Sequence, residues 1–265
     1  MADIWRENTY VRFGDVDRSD RLTLGSIFSF FQEAAISHAT DLGVGRDLMA
    51  KAGQGWILSR LSLFVERRPA YGEKIEISSW PRGWEKLFAL RDYTIRDAEG
   101  LAIVRGRGAW LILDINRRKP LRAQSAMGSL PPNDGIDAFS TVPSGLAARE
   151  NLSKAGERKA LYSDIDFYGH VNNARYIQWI QDITQEGVLA DADQIRLDID
   201  YLSEVLPGET VELWTTPLDD ALKGDGEKDF PCRQAAAFVF EGRRPGSEQA
   251  VFRAELRTGK RQREL

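Results

Sequence analysis

Apolar positions recur along this chain in two rhythms, and the alternation between them happens twice. Leu24, Ile27, Phe28, Phe30, Phe31, Ala34 and Ala35 follow a helical spacing that leaves little polar face. A second run, read as a helix over 175–186, repeats the pattern with Tyr176, Ile177, Trp179, Ile180 and Ile183. A helix apolar nearly all round belongs in a protein interior. Between these runs the period falls to two. Ile75 and Ile77 alternate with Lys74, Glu76 and Ser78, and Val211 and Leu213 flank Glu212. A strand-like stretch also covers 159–163. Strands over 88–96 and 101–113 flank Asp97-Ala98-Glu99-Gly100, a hairpin signal, and 230–241 and 250–257 flank a turn with Gly and Pro.

The order of these elements is itself duplicated. Placing DIDFYGHVNNARYIQWIQD from Asp164 over DVDRSDRLTLGSIFSFFQE from Asp15 gives an offset of 149 (164 − 15). Asp166 then meets Asp17, Trp179 meets Phe30, Gln181 meets Gln32 and Asp182 meets Glu33. Each block is followed by a strand, a Gly-Glu turn and another strand; Gly208 meets Gly72 at an offset of 136 (208 − 72). The first copy therefore carries extra residues over 46–55. Two matched blocks in the same order point to a tandem repeat. One long buried helix wrapped by an antiparallel sheet satisfies each copy, so the expected class is α+β, a double hot dog. The expected division is 1–130, a Ser/Gly/Asn/Pro/Ala-rich linker over 131–156, and 157–265. The polar, acidic stretch 217–229 reads as a long loop.

At 265 residues with a net charge of -4, the composition is that of a globular protein and argues against a general nucleic-acid binder. No apolar run is long enough for a membrane-spanning helix, and the amino-terminal MADIWRENTYVRF lacks the apolar core of a signal peptide. The single cysteine, Cys232, forbids an internal disulfide and suits a reducing cytoplasm. It reads as a small hydrophobe. His38 and His170 are the only histidines and show no metal-ligand spacing; no phosphate-cradling or dinucleotide motif is present.

Usable chemistry concentrates in Asp164-Ile165-Asp166-Phe167-Tyr168-Gly169-His170-Val171-Asn172-Asn173. It puts carboxylates and an imidazole beside a helix start, where unpaired N–H groups and the positive dipole end favour developing negative charge. Such a set can hydrolyse a carbonyl compound. Asn172 and Asn173 suit helix caps, and Asp164 reads as structural.

The run DIDFYGHVNNARYIQWI resembles the second-half signature of acyl-acyl carrier protein thioesterases, an Asp-x-Asn-x-His-Val-Asn-Asn stretch followed by Tyr and Trp. Asp166, His170, Val171, Asn172, Asn173, Tyr176 and Trp179 match it. The stretches WILSRLSLFVERRPAYGEKIEISSWPRG and RDYTIRDAEGLAIVRGRGAWLILDINRRKPLR are similar to the family's first half, so the likeness covers nearly the whole chain. Two departures stand out. Tyr168 replaces the family's asparagine between the aspartate and the histidine. Glu204-Val205 stands where the plant enzymes have Glu-Cys, which removes a cysteine nucleophile from that site.

The resemblance implies hydrolysis of fatty acyl-acyl carrier protein to free fatty acid, without a cofactor or metal, on a single active site in the second copy. Asp166, His170 and Glu204 become the catalytic candidates, the carboxylates acting on water and the imidazole orienting the carbonyl or moving a proton. Backbone N–H groups from Val171 to Ala174, those of Asn172 and Asn173 included, are the oxyanion candidates, each such donor typically worth about 3 kcal/mol. Tyr168 joins them as a substrate contact. Asp166 could instead brace its turn, and Glu204 could be an ordinary strand-end carboxylate. Asp17 lacks a following histidine and reads as a relic; His38 reads as a buried core residue. An acidic carrier protein would want a basic face, and Arg117, Arg118, Lys119, Arg122, the Arg67-Arg68 pair and the tail 257–263 are candidates. Nucleic acid and membrane insertion are not expected, and two chains could still pair as a homodimer. An acyl-coenzyme A thioesterase, or an acyl-binding regulator without catalysis, remain the alternatives.

Overall fold

A computed structural model describes residues 3–122, 130–131, 133–185, 187–218 and 233–260, without the side chains of 233–234. The long loop expected over 217–229 falls almost wholly outside these residues, as do Cys232 and 261–263 of the basic tail. The chain divides into two compact units, one of 1–23 and 27–144 and one of 24–26 and 145–265.

In the first unit, β1 (Trp5–Tyr10), β2 (Gln54–Val65), β3 (Lys74–Glu85), β4 (Phe88–Arg96) and β5 (Ala102–Asp114) form an antiparallel sheet in the order β1-β3-β4-β5-β2, with β6 (Lys119–Leu121) added to β5. The Asp97–Gly100 turn closes as its sequence predicts. Gly100 takes φ +81°, and the Asp97 carboxylate accepts the Leu101 N–H at 2.9 Å. The helix α1 (Leu24–Asp41) buries Ile27, Phe28, Phe31, Ala34, Ala35 and His38, and Phe31 stacks on Tyr93 of β4 at 4.7 Å. The expectation of an apolar girdle is narrowed, because Ser29, Glu33 and Ile36 form an exposed stripe. The extra residues of this copy build a short helix, α2 (Arg46–Lys51).

In the second unit, β7 (Ser153–Lys159), β8 (Gln194–Tyr201), β9 (Thr210–Pro217), β10 (Arg233–Arg243) and β11 (Ala250–Lys260) run in the order β8-β11-β10-β9-β7. Read from β2, the first unit's order is β2-β5-β4-β3-β1, so corresponding strands occupy corresponding places. The helix α3 (Asn173–Ile183) sets Tyr176 edge-on to Phe252 of β11 at 5.5 Å and to Tyr201 of β8 at 5.6 Å. Each unit is thus a long helix on an antiparallel sheet, the hot-dog arrangement.

The strand expected over 159–163 is displaced. β7 ends at Lys159, and Tyr162–Asp164 form a 3-10 turn, because the Asp164 carboxylate accepts the Leu161 N–H at 2.9 Å and folds the chain back. β7 also takes the last residues of the expected linker. The rest of that connector has no periodicity because polar bonds hold it. Asp92, fully buried, receives Arg107 at 2.6 and 2.7 Å and the Ala138 N–H at 2.8 Å, while Arg107 also reaches Asp137 at 2.8 Å.

The repeat extends to individual backbone bonds. Asp166 N–H donates to the His170 carbonyl at 2.9 Å, as Asp17 does to Arg21 at 2.9 Å. Val171 N–H donates to Val205 at 2.9 Å, as Leu22 does to Pro69 at 2.8 Å. Gly208 N–H donates to Ala160 at 2.9 Å, as Gly72 does to Val11 at 2.9 Å. These pairs keep the sequence offsets, which fixes the correspondence of side chains used below.

Candidate active site

The turn that presents His170 is stiffened from within. Asp166 Oδ1 accepts the Tyr168 N–H at 2.9 Å, the Asx turn typical of a short loop, and the Asp166 carbonyl accepts the Gly169 N–H at 2.9 Å. Gly169 takes φ +84°, a region where a side chain is strained. The bridge between Ile165 and Val171 pins the base of the loop. His170 is therefore delivered three residues before Asn173, where α3 begins.

Asn172 caps α3. Its Oδ1 accepts the Ala174 N–H at 2.9 Å from an extended backbone, φ −61° and ψ 138°. Its own N–H donates to the Asp164 carbonyl at 2.8 Å. Asp164 is structural, as expected; its carboxylate serves Leu161 and lies 3.7 Å from Arg175 Nε.

Glu204 arrives from the segment after β8. Val205, fully buried, anchors that segment, and its carbonyl takes the Val171 N–H. The anchor sets Glu204 Oε2 3.1 Å from His170 Nε2, with the imidazole 39% and the carboxylate 53% exposed. A neutral imidazole donating from Nε2 to that carboxylate leaves Nδ1 as an acceptor. The pair is reachable by water and held by the turn on one side and the Val205 anchor on the other. The Tyr176 phenol is buried beneath. Burial pushes its pKa well up, against a hydrogen bond from the Val205 backbone that pulls it down.

The oxyanion expectation needs correction. Of the N–H groups around the start of α3, Val171 donates to Val205, Asn172 to Asp164, and Ala174 to the Asn172 side chain. An N–H already committed to a good acceptor cannot also hold an oxyanion without losing that bond. Asn173, the first helical residue, is the one whose N–H meets no acceptor among the described residues, and its carbonyl accepts the Tyr201 hydroxyl at 3.2 Å. Tyr168 is exposed, its ring 4.3 Å from that of Phe167. Among the described residues no three His, Cys, Asp or Glu side chains gather as a metal-ligand set.

The corresponding place in the first unit is closed by charge. Arg21 stands for His170, and Arg68 for Glu204 (204 − 136). Asp17 accepts Ser19 N–H at 2.9 Å, Ser19 Oγ at 2.5 Å, Arg21 N–H at 3.3 Å and Arg68 Nη1 at 2.5 Å. Burial pushes the Asp17 pKa up, but Ser19 and the Arg68 guanidinium together hold it below the usual carboxylate range. Arg68 is only 5% exposed, and Arg67 is spent on Glu73 and Asp97, so this pair is removed from the list of carrier-docking cations. Arg117, Arg118, Lys119 and Arg122 are exposed. Arg257 pairs with Glu255 at 3.1 Å. His38 is a core residue as expected, with Nδ1 3.1 Å from Arg91 and Nε2 3.2 Å from Asp3. Sequence reasoning missed Arg68 as the partner of Asp17, although carrying the second offset back four residues from Gly72 would have set it opposite Glu204. It also missed Arg244, which grips the Glu204 carbonyl at 2.7 Å and for which no sequence signal exists.

Comparison with known proteins gives a consistent result. A model of the acyl-ACP thioesterase N-terminal domain matches residues 2–127, and one of the acyl-ACP thioesterase C-terminal domain matches 148–242. The chloroplastic acyl-(acyl-carrier-protein) hydrolase FATB2 of Cuphea viscosissima is 24% identical over 238 residues, 85% of this chain and 58% of that protein. The chloroplastic oleoyl-acyl carrier protein thioesterase 2 of Arabidopsis thaliana is 24% identical over 231 residues, 80% of this chain and 62% of that protein. The chain spans little more than half the length of the first of these relatives. The crystal structure of an acyl-ACP thioesterase from Bacteroides thetaiotaomicron superposes with a TM-score of 0.81 at 24% identity, covering 96% of this chain and 97% of that one. That likeness establishes the shared fold.

Proposed function

Because the chain belongs to the acyl-ACP thioesterase family, we propose that it hydrolyses fatty acyl-acyl carrier protein to free fatty acid and carrier thiol, using Asp166, His170 and Glu204. The observation that carries this reading is the 3.1 Å contact between His170 and Glu204 at the mouth of α3. An imidazole and a carboxylate in contact can take a proton from water and pass it on.

In the proposed step, water attacks the thioester carbon as Glu204, in contact with His170, accepts its proton. The carbonyl oxygen becomes an oxyanion, which the Asn173 N–H and the positive end of α3 stabilise. Collapse breaks the carbon–sulfur bond, and the thiolate leaves with the proton returned through the imidazole. A thiolate leaves readily, so little acid assistance is required. Asp166, with Oδ1 taken by Tyr168 N–H, keeps its other oxygen for the substrate side or the water. Tyr168 and Phe167 are exposed on the same turn, and we place the pantetheine arm of the substrate against them. No helix among the described residues is long and apolar enough to cross a membrane. We assign the reaction to a reducing cytoplasm on the single cysteine of the sequence.

The test is release of free fatty acid from one acyl chain carried on acyl carrier protein and, in parallel, on coenzyme A. Faster turnover on the carrier protein is expected. Asp166→Asn should lower kcat by about tenfold or more with the fold intact. Unchanged kcat in Asp166→Asn would remove that residue from the mechanism, and preference for coenzyme A would reassign the substrate.

A further inference from the structure

We propose that Arg244 is a positioning residue for Glu204, setting the catalytic carboxylate against His170 through its main chain. The inference rests on the reading of Glu204 above and extends it to a side chain that never touches substrate. Arg244 follows β10 and opens the turn Arg244-Pro245-Gly246-Ser247, closed by Ser247 N–H donating to the Arg244 carbonyl at 3.0 Å, with Gly246 at φ +72°. Proline at the second and a positive-φ glycine at the third position make such a turn rigid. The guanidinium is thus launched from a fixed backbone.

Its three contacts span the Glu204 segment. Nη2 donates to the Glu204 carbonyl at 2.7 Å, Nη1 to Ser203 Oγ at 3.3 Å, and Nη2 lies 3.4 Å from Glu209 Oε2. Glu209 in turn accepts the Leu206 N–H at 2.9 Å. One planar cation therefore ties both ends of the segment together. Turning the Glu204 peptide would break its 2.7 Å bond and swing the half-exposed carboxylate away from the imidazole. The bond is charge-assisted, stronger than a neutral amide pair.

The first unit shows what the brace looks like where no imidazole is served. There Glu73, the counterpart of Glu209, is held at 2.7 and 3.0 Å by Arg67, the counterpart of Ser203. The cation sits inside the loop itself. In the second unit that loop position is a serine, and the cation comes from the β10 turn and reaches the carbonyl of the very residue that faces His170. Holding Glu209 needs only a cation; reaching Ser203, Glu204 and Glu209 together needs the fork that arginine has and lysine lacks.

The experiment compares Arg244→Ala, Arg244→Lys, Glu209→Gln and Glu204→Gln in the full chain, on acyl carrier protein loaded with one fatty acid. Arg244→Ala should lose about tenfold or more in kcat with KM within about twofold, because the defect lies after binding. Methylguanidinium should restore part of that kcat, since the Arg244 side chain is 34% exposed and its place can be refilled. Arg244→Lys should fall between wild type and Arg244→Ala. Glu209→Gln should lower Tm but hold kcat within about twofold. The inference is overturned if Arg244→Ala keeps wild-type kcat, if methylguanidinium restores nothing, or if Glu209→Gln reproduces the kcat loss, which would make Arg244 a loop brace only. If Arg244→Ala does not fold, Arg244→Lys decides: reduced kcat at wild-type Tm supports the inference, and wild-type kcat overturns it. Glu204→Gln separates the two levels. Wild-type turnover in that variant defeats the site assignment itself, whereas its inactivity beside a fully active Arg244→Ala defeats only the role of Arg244.

Discussion

Replacing Arg68 with methionine asks what the first unit's carboxylate does when its cation is removed. The magnitude follows from the surroundings. Removing one partner of a fully buried ion pair costs about 3–5 kcal/mol, while an exposed pair is worth about 0–1 kcal/mol. Arg68 is 5% exposed and Asp17 27%, so the pair lies nearer the buried limit. Asp17 retains Ser19 N–H, Ser19 Oγ and Arg21 N–H as donors, so it is not orphaned. The expected loss is therefore about 2 kcal/mol, or about 4–8 °C in Tm for a protein of this size. Thermal unfolding followed by circular dichroism measures it. A double-mutant cycle with Asp17→Asn should return a coupling of about 1–2 kcal/mol. The pH dependence has a definite sign. Because the folded Asp17 pKa is held below 3.8, the pair contributes fully above that value and loses its contribution as pH falls through the folded value. The Tm deficit of Arg68→Met should then be full at neutral pH and narrow toward pH 3. Activity should be unchanged, since the first unit's turn carries no imidazole. A Tm within about 1 °C of wild type would refute the energetic reasoning. A tenfold fall in kcat at full folding would refute the assignment of a single active turn.

Two further outcomes follow from the cores. Burial pushes the His38 pKa below 6.5, the Arg91 guanidinium adds to the shift, and Asp3 opposes it. A depressed folded value means stability is present above about pH 6.5 and is lost as pH falls below it; His38→Gln should flatten the Tm decline between pH 8 and 5, and an unaltered slope would count against the buried neutral imidazole. At Gly242 a Cβ would lie 2.1 Å and 2.5 Å from the Phe252 ring and 3.0 Å from Val211, both fully buried. Gly242→Ala should cost about 1–3 kcal/mol by overpacking and reduce kcat as well, because Phe252 supports Tyr176 of α3; an unchanged Tm would show that the strand can move aside.

The fold was legible because α1, α3 and most strands announce their period, and because the duplication doubled each signal. The Asp97–Gly100 hairpin and the Asn172 cap rest on local chemistry that a sequence displays directly. The misplaced strand over 159–163 shows the limit. Nothing in its pattern registers that Asp164 turns back onto Leu161. The connector was opaque for a related reason, since its order comes from the Asp92–Arg107–Asp137 bonds, whose partners lie 15 and 30 residues apart in sequence. At the site, the histidine and carboxylates could be read from the motif, but the state of each N–H could not. Which donor at the α3 start remains uncommitted depends on Val205 and Asp164 carbonyls that arrive through folding.

The two turns share a backbone and differ in what their carboxylates have left to give. An ionised carboxylate offers about four acceptor sites. Asp17 meets Ser19 twice, Arg21 and Arg68, and so is saturated by its own unit. Among the described residues, the Asp166 carboxylate accepts a hydrogen bond from Tyr168, and the Glu204 carboxylate meets only His170. A carboxylate that must act on water or substrate has to keep lone pairs for them, which leaves it under-supported in the free protein. The support then has to come through the main chain, as the Val171–Val205 bond and the Arg244 contact supply it to Glu204. Exchanging glutamate for arginine at one equivalent position reverses this logic. The guanidinium of Arg68 fills the acceptor capacity of Asp17 and gives that turn a structural role, while the shared backbone bonds stay in place.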